Sequence, residues 1–327
     1  MKAWRVHEYG PPESMRFEEA PKPEPGPGEV LIRNHACGLN FFDILQIAGQ
    51  YQARPDFPFI IGAEIAGEIE AVGPDVTDFK SGDRVVSVPR AGGFAEYSVA
   101  RDDRTFPLPE SMSFAEAAAF PVVYQTSWFA LDYRARVEPA EWVLVHAGAS
   151  GVGLAAIQIA KAKGARVIAT ASTEEKRAFC RAQGADETVD YTQSDWPDRV
   201  KKITGRGADV VLDVVGGDVF TLSTKCIAPD GRLLVVGFTS GEIPKIAANR
   251  ILLKNISVVG VFWGRHLDEH PRYGGEAHSA LIDLYQRGRI KVPVGAKFPF
   301  EEAPKALGAL RDRQVSGKAV LEIIVNP

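Results

Sequence analysis

The chain has 327 residues, 45% of them hydrophobic and 24% charged, and carries a formal net charge of −4. That length suits two domains of ordinary size, and that composition suits a folded globular protein, which excludes global disorder. No run approaches the roughly 20 apolar residues of a membrane helix, and no long block of like charge marks a nucleic-acid or anionic-membrane surface, so neither partner is expected. The amino terminus enters a strand-like pattern directly. It lacks the apolar core and small-residue cleavage site of a secretory signal, which makes the cytoplasm the expected compartment. Cys37, Cys180 and Cys226 lie far apart with no C-x-x-C spacing. They fit reduced thiols rather than a disulfide framework or a structural zinc site.

The first third reads as β-rich. Residues 29–33, 65–72 and 84–88 are short strand-like runs, punctuated by Pro and Gly at 21–28 and 73–74. The Pro-rich stretch 21–28 is an extended connector, because strands flank it closely. Near residue 120 the rhythm changes. Residues 142–146 form a buried strand, a glycine turn follows, and 154–163 form a helix ended by Gly164. A second strand at 166–170 leads into a helix over 173–183, and further strands fall at 208–215, 231–237 and 256–262. Apolar strands alternating with helices predict a parallel sheet covered on both faces. Beyond residue 263 the alternation stops. Helices are predicted at 277–286 and 303–311, and a closing strand at 319–325. This tail is expected to return to the first domain, giving a domain of 1–119 plus 264–327 and a dinucleotide domain of 120–263.

The sharpest local signal is VLVHAGASGVG at 143–153. It lies between a strand and a helix, the context that makes a glycine pattern a dinucleotide site. Glycines tighten the turn and admit backbone N–H groups to a pyrophosphate, and the helix amino terminus favours that anion. Gly148 and Gly153 occupy the first and third places of G-x-G-x-x-G, Ser150 the second, and Gly151 and Val152 complete the turn. The tip of the second strand, about 20 residues further on, selects the cofactor: an acid there grips the ribose hydroxyl of NAD, whereas a small residue with a nearby cation suits the 2′-phosphate of NADP. The sequence there is Ala169-Thr170-Ala171-Ser172, with Lys176 one turn later. Glu174 and Glu175 sit in a first helical turn, where the dipole favours acids, and need not face the ribose. NADPH is therefore the expected cofactor. Gly216 and Gly217 follow the carboxyl end of another strand, the edge at which open α/β sheets bind ligands. Asp213, just inside that edge, is read as structural. None of the six histidines shows metal spacing, and His146 is read as a packed, hydrogen-bonded core residue.

The chain resembles the medium-chain dehydrogenase/reductase superfamily, in particular its zinc-independent quinone oxidoreductase branch. The likeness runs essentially end to end, through GLNFFD at 38–43, GQY at 49–51, FIIGAEIAG at 59–67, GDRV at 82–85, GGFAEY at 92–97, the loop at 143–153, LLKNISVVGVFWGR at 252–265 and GKAVL at 317–321. It implies an α/β fold: a doubly wound Rossmann sheet inserted in a mostly β, GroES-like catalytic domain, with cofactor and substrate in the cleft between them. Zinc alcohol dehydrogenases place a ligand Cys where Asn40 stands, a ligand His where Ala63 stands, and a third ligand near Val122; they also carry a four-cysteine lobe missing here. Neither Asn nor Ala replaces thiolate or imidazole, so no metal and no alcohol oxidation are expected. The resemblance further implies that Asn40 and Thr126 orient the nicotinamide, and that Tyr51 closes the pocket and donates to an acceptor carbonyl. Tyr191 is assigned to the adenosine phosphate, Phe238, Phe262 and Trp263 to the nicotinamide wall, and Lys318 to the cofactor. Taken alone, Asn40 is equally a cap for a helix starting at Phe41, Tyr51 a packing residue, and Thr126 an ordinary helical residue. A second tyrosine carried by some relatives is replaced by Leu45. The implied activity is NADPH-dependent reduction of a quinone or enone. The alternatives are enoyl-CoA reduction or a non-catalytic NADPH-binding protein. A homodimer is implied through the last Rossmann strand.

Overall fold

A computed structural model describes residues 1–52 and 54–323. The chain divides into two compact units: residues 1–122, 270–279 and from 292 onward form the first, and 123–269 with 280–291 form the second. The strands in chain order are β1 (Lys2–Val6), β2 (Arg16–Glu19), β3 (Glu29–Gly38), β4 (Phe59–Ile60), β5 (Ile65–Val72), β6 (Arg84–Ser87), β7 (Tyr97–Arg101) and β8 (Thr105–Pro107). Then come β9 (Trp142–Val145), β10 (Arg166–Thr170), β11 (Glu187–Val189), β12 (Ala208–Asp213), β13 (Ile227–Val235) and β14 (Ser257–Gly260), and finally β15 (Val294–Pro299) and β16 (Lys318–Glu322).

In the first unit β3 is the spine. The larger sheet runs β15-β16-β3-β5-β6-β8, with β7 also paired to β3, and a small sheet runs β2-β1-β4. Ile32, Leu39, Ile47, Ile61, Ile65, Phe94, Phe300 and Leu321 form one buried core, which is why the tail is bound to the amino-terminal strands. β16 pairs antiparallel with β3, setting Val320 opposite Gly38 and Leu321 opposite Cys37. That register delivers Lys318 beside the chain that follows Gly38. Positions 324 and 325 of the predicted closing strand lie outside the described residues.

The second unit is a parallel sheet in the order β11-β10-β9-β12-β13-β14. Counted from its own first strand this is 3-2-1-4-5-6, the Rossmann arrangement. Val143, Leu144 and Val145 are wholly buried, as are Val210, Val211 and Leu212. Strands covered on both faces lose the alternation that a half-exposed strand keeps. The predicted α/β architecture is therefore present, with local corrections. The strand predicted at 208–215 stops at Asp213, because its side chain accepts hydrogen bonds from Val215 N and Gly216 N and turns the chain. The strand predicted at 256–262 is confined to Ser257–Gly260, and a helix, Trp263–Glu269, takes over. Helices Trp196–Thr204 and Gly217–Cys226 were not expected. The first is a short, strongly charged segment with Pro197 near its start, and the second opens on two glycines that read as a turn. No helix among the described residues is long and apolar enough to cross a membrane.

Candidate functional site

In the second unit, β9 ends at Val145 and the chain turns through Ala147, at φ 48°, into the helix Gly151–Ala162. Ser150 caps that helix, its Oγ accepting from Gly153 N at 3.1 Å. At two of its positions the turn leaves no room for a side chain. A Cβ on Gly148 would lie 2.8 Å from Ala169 Cβ and 2.9 Å from Cys180 Sγ, and one on Gly153 would lie 2.3 Å from Ala147 O. The N–H groups of Gly151 and Val152 have no acceptor among the described residues. Two orphan donors at a helix amino terminus, on a turn of glycines and small side chains, suit an anion. Ser127 Oγ donates to Val152 O at 3.1 Å, which ties the helix Pro121–Trp128 to this loop and sets half-buried Thr126 on a segment next to it. Gln125, wholly buried, has neither amide atom hydrogen-bonded among the described residues. Nothing in the sequence pattern marked it.

At the tip of β10, Ser172 and Lys176 are both half-buried. Thr173 caps the next helix, accepting from Lys176 N at 3.3 Å. The two glutamates of that turn behave as expected of a helix start. Glu174 pairs with Arg181 and with Arg177 Nε (3.1 Å), and their hydrogen bonds hold its carboxyl below the usual carboxylate range. Arg177, overlooked in the sequence, also donates to Ala171 O at 3.3 Å and pairs with Asp190 at 3.2 Å. Tyr191 packs against the sheet core. At the tip of β12, Gly216 has φ 76°, and a Cβ there would meet Glu242 O at 2.8 Å and Phe238 Cδ1 at 3.0 Å. Phe238 and Phe262 are exposed, whereas Trp263 is buried against Phe129, ring centroids 5.5 Å apart. His146 is buried between β10 and the helix Gly217–Cys226, with Nδ1 at 3.0 Å from Thr170 Oγ1 and Nε2 at 2.8 Å from Ser223 Oγ. Ser223 spends its one proton on Val219 O, so Nε2 must be the protonated nitrogen. Burial pushes this imidazole down to about 3, in keeping with a neutral core residue.

The first unit gathers a second cluster. Asn40 stands at the amino terminus of the helix Phe41–Ile47, and its N–H donates to Asp43 Oδ2 at 2.8 Å. Its side chain turns elsewhere. Oδ1 accepts from Lys318 Nζ at 2.6 Å, and Nδ2 donates to Glu64 Oε2 at 3.1 Å. Lys318 Nζ also meets Leu39 O and Glu64 Oε2, each at 2.7 Å. An ammonium has three protons, so Lys318, assigned to the cofactor by resemblance, has every donor engaged within its own chain. Glu64 Oε1 accepts from Val122 N at 2.7 Å. Glu64 and Asp43 are wholly buried, and Lys318 and Asn40 nearly so. Gly38 makes the cluster possible, since a Cβ there would lie 2.0 Å from Ala118 O and 2.6 Å from Glu64 Oε2. Asp43 Oδ1 has no partner among the described residues. Burial raises its carboxyl to about 7, against the pull of Asn40 N–H and Lys318. Tyr51, half-buried, stacks on Phe42 with centroids 5.5 Å apart. Burial, and then Asp43, push its phenol upward.

Where zinc ligands would fall by resemblance the chain has Asn40, Ala63 and Val122, and no group of three or more His, Cys, Asp or Glu among the described residues is arranged to hold a metal ion. A surface groove of about 830 Å³, lined among others by Asp78, Arg84, Phe106 and Arg272, contains none of these residues.

Residues 26–110 match the family described as alcohol dehydrogenase GroES-like domain, and 151–275 that described as zinc-binding dehydrogenase. The chain is 40% identical over 300 residues to a quinone oxidoreductase-like protein 2 homolog of Nematostella vectensis, spanning 90% of this chain and 82% of that protein. Among solved structures, a mycobacterial protein complexed with NADPH is 35% identical with a TM-score of 0.94, over 99% of this chain and 100% of its own. The Escherichia coli quinone oxidoreductase complexed with NADPH is 31% identical with a TM-score of 0.93, over the same shares, 99% and 100%.

Proposed function

We propose that this chain, which belongs to the quinone oxidoreductase branch of the medium-chain dehydrogenase/reductase superfamily, binds NADPH on its Rossmann unit and reduces a small electron-poor acceptor, a quinone or an α,β-unsaturated carbonyl. The observation that carries this reading is the turn at 147–153, with two unpaired N–H donors and two glycines whose Cβ positions are already filled. Relatives solved with NADPH support the same choice. When bound, the cofactor supplies a hydride equivalent.

The residues divide the work. Gly151, Val152 and Gly153, capped by Ser150, take the pyrophosphate at the helix terminus. Ser172 donates to the adenosine 2′-phosphate and Lys176 brings charge to it, with Tyr191 beside the adenosine. Gly216, whose position admits no side chain, and Phe238, Phe262 and Trp263 border the nicotinamide end. Asn40 and Thr126 orient the ring or its carboxamide. Tyr51, kept protonated by its surroundings, donates a hydrogen bond to the acceptor carbonyl as negative charge develops there. The protein acts as a homodimer joined through β14 and resides in the cytoplasm.

The test is an NADPH-oxidation screen over quinones, enals and enoyl thioesters with NADH in parallel. We expect turnover with a quinone or enone and a kcat/KM at least about tenfold higher for NADPH, the worth of one charge-assisted phosphate contact. Absence of binding heat with both nucleotides overturns the reading. Tight NADPH binding without turnover of any acceptor class leaves a non-catalytic nucleotide-binding protein.

A further inference from the structure

We infer that Lys318 and Glu64 form a buried positioning pair whose task is to fix the carboxamide of Asn40 in a single orientation. The inference rests on the proposed role of Asn40 at the nicotinamide. It replaces the resemblance-based assignment of Lys318 as a cofactor ligand.

A carboxamide has two nearly isosteric ends, and only its partners decide which is oxygen. Here the partners leave no choice. Lys318 is a pure donor and sits 2.6 Å from Oδ1; the Glu64 carboxylate is a pure acceptor and sits 3.1 Å from Nδ2. Turning the amide over would set an N–H against an ammonium and an oxygen against a carboxylate, two repulsions inside a buried site. The clamp is itself clamped. Lys318 is held by Leu39 O, and Glu64 by Val122 N at 2.7 Å. Lys318 and Glu64 pair directly at 2.7 Å, with side-chain exposures of 4% and 0%, so the charges balance where water cannot screen them. What remains to Asn40 is one lone pair on Oδ1 and the second Nδ2 proton, whose contact with Gly38 O is long at 3.4 Å. The network thus presents a defined acceptor and a defined, weakly engaged donor at a position where the orientation of an amide decides what it recognises. Lys318, 278 positions away in sequence, is brought there by the pairing of β16 with β3.

The test is a double-mutant cycle in the full-length protein. One arm is the charge-balanced pair Glu64→Gln with Lys318→Met, the other Asn40→Ala. Each is followed by kcat, acceptor KM and the Kd for NADPH from fluorescence titration. In the wild-type background we expect the balanced pair to lower kcat about tenfold or more, as for loss of an oriented hydrogen bond, with Kd for NADPH held within roughly threefold. In the Asn40→Ala background the same pair should change kcat by less than about twofold, because residues acting through one another are non-additive. Equal losses in both backgrounds make the pair a structural staple and overturn the inference. A large rise in the Kd for NADPH that steepens with salt makes Lys318 a phosphate ligand and overturns it too. If that pair fails to fold, Glu64→Gln with Lys318→Gln keeps the site neutral and its polar groups hydrogen-bonded and gives the same comparison, with an expected loss of about threefold. Wild-type protein that binds NADPH but turns over no acceptor defeats both this inference and the proposed reaction, whereas wild-type turnover with additive losses defeats the inference alone.

Discussion

Asp43 is wholly buried, with one carboxyl oxygen bonded to Asn40 N and the other without a partner among the described residues. Desolvation disfavours its charged form and raises the group from 3.8 to about 7. Between those values the folded chain holds a proton that the unfolded chain has released, so the contribution is fully present below about 3.8 and is lost as pH rises through about 7. Asp43→Asn keeps an acceptor for Asn40 N and removes the titration. Urea unfolding across pH 4 to 8 should therefore show the wild type losing stability relative to the variant up to about pH 7 and running parallel above it; curves parallel throughout exclude a raised Asp43. His146 works in the opposite sense. Its folded value of about 3 lies below the ordinary 6.5, so its contribution is lost as pH falls between them. Tyr51 is the residue-scale claim about chemistry. Tyr51→Phe should lower kcat/KM by about tenfold or more, toward the cost of removing one donor to a developing oxyanion, with NADPH affinity unchanged. An unaltered kcat/KM on every acceptor that turns over ends the donor role.

At the scale of single elements, the strand-turn-helix from β9 through Gly151–Ala162 and the tip of β10 divide cofactor binding between a part common to all dinucleotides and a part that discriminates. In the proposed reading the first uses backbone N–H groups and the second Ser172 and Lys176, while the nearby Glu174 is paired with Arg177 and Arg181. Replacing Ser172 and Lys176 together by Ala should lower kcat/KM for NADPH by about tenfold to a hundredfold, in line with lost charge-assisted bonds to a phosphate, and change that for NADH by less than about twofold. Parallel losses for both nucleotides would place the 2′-phosphate elsewhere. This element was legible in sequence because its constraint is local: glycines two to five positions apart between a buried strand and a helix leave few alternatives. Its neighbours were less so. The end of β12 is set by the Asp213 side chain folding back on Val215 and Gly216, and the start of the Glu174–Ala182 helix by Thr173. Such bonds shift a boundary by a residue or two without altering hydrophobic period. The Asn40 cluster was legible only in part. The motif containing Asn40 stood out, but its function depends on Glu64 and Lys318, and no spacing rule connects residues 278 positions apart.

Over the whole molecule, the alternation of apolar strands and helices was enough to predict a parallel sheet, because burial on both faces imposes a composition that survives without long-range knowledge. What alternation cannot convey is the fate of the sheet's edges. Among the described residues β14 pairs only with β13, so one side of its backbone is open to another chain, the condition that soluble proteins normally blunt with charge, Pro or a covering element. Here the four residues of β14 are Ser, Val, Val and Gly, with no charge among them. Leu252 and Leu253, just before it, are 74% and 79% exposed, and Phe262, just after it, is 55% exposed. Exposed large apolar groups on both flanks of an unprotected edge are what the proposed dimer through β14 requires. A second copy fits best, because antiparallel pairing of β14 with itself about a two-fold axis satisfies the same edge on both chains and closes the assembly. Light scattering after size exclusion should then give twice the chain mass at micromolar concentration. Val258→Asp sets like charges near the axis, where each chain faces its own copy, and should shift the population to monomer while leaving the Rossmann fold intact by circular dichroism, since Val258 is already 37% exposed. A wild type that is monomeric under those conditions refutes the edge-to-edge dimer, and a dimer indifferent to Val258→Asp moves the interface to another face.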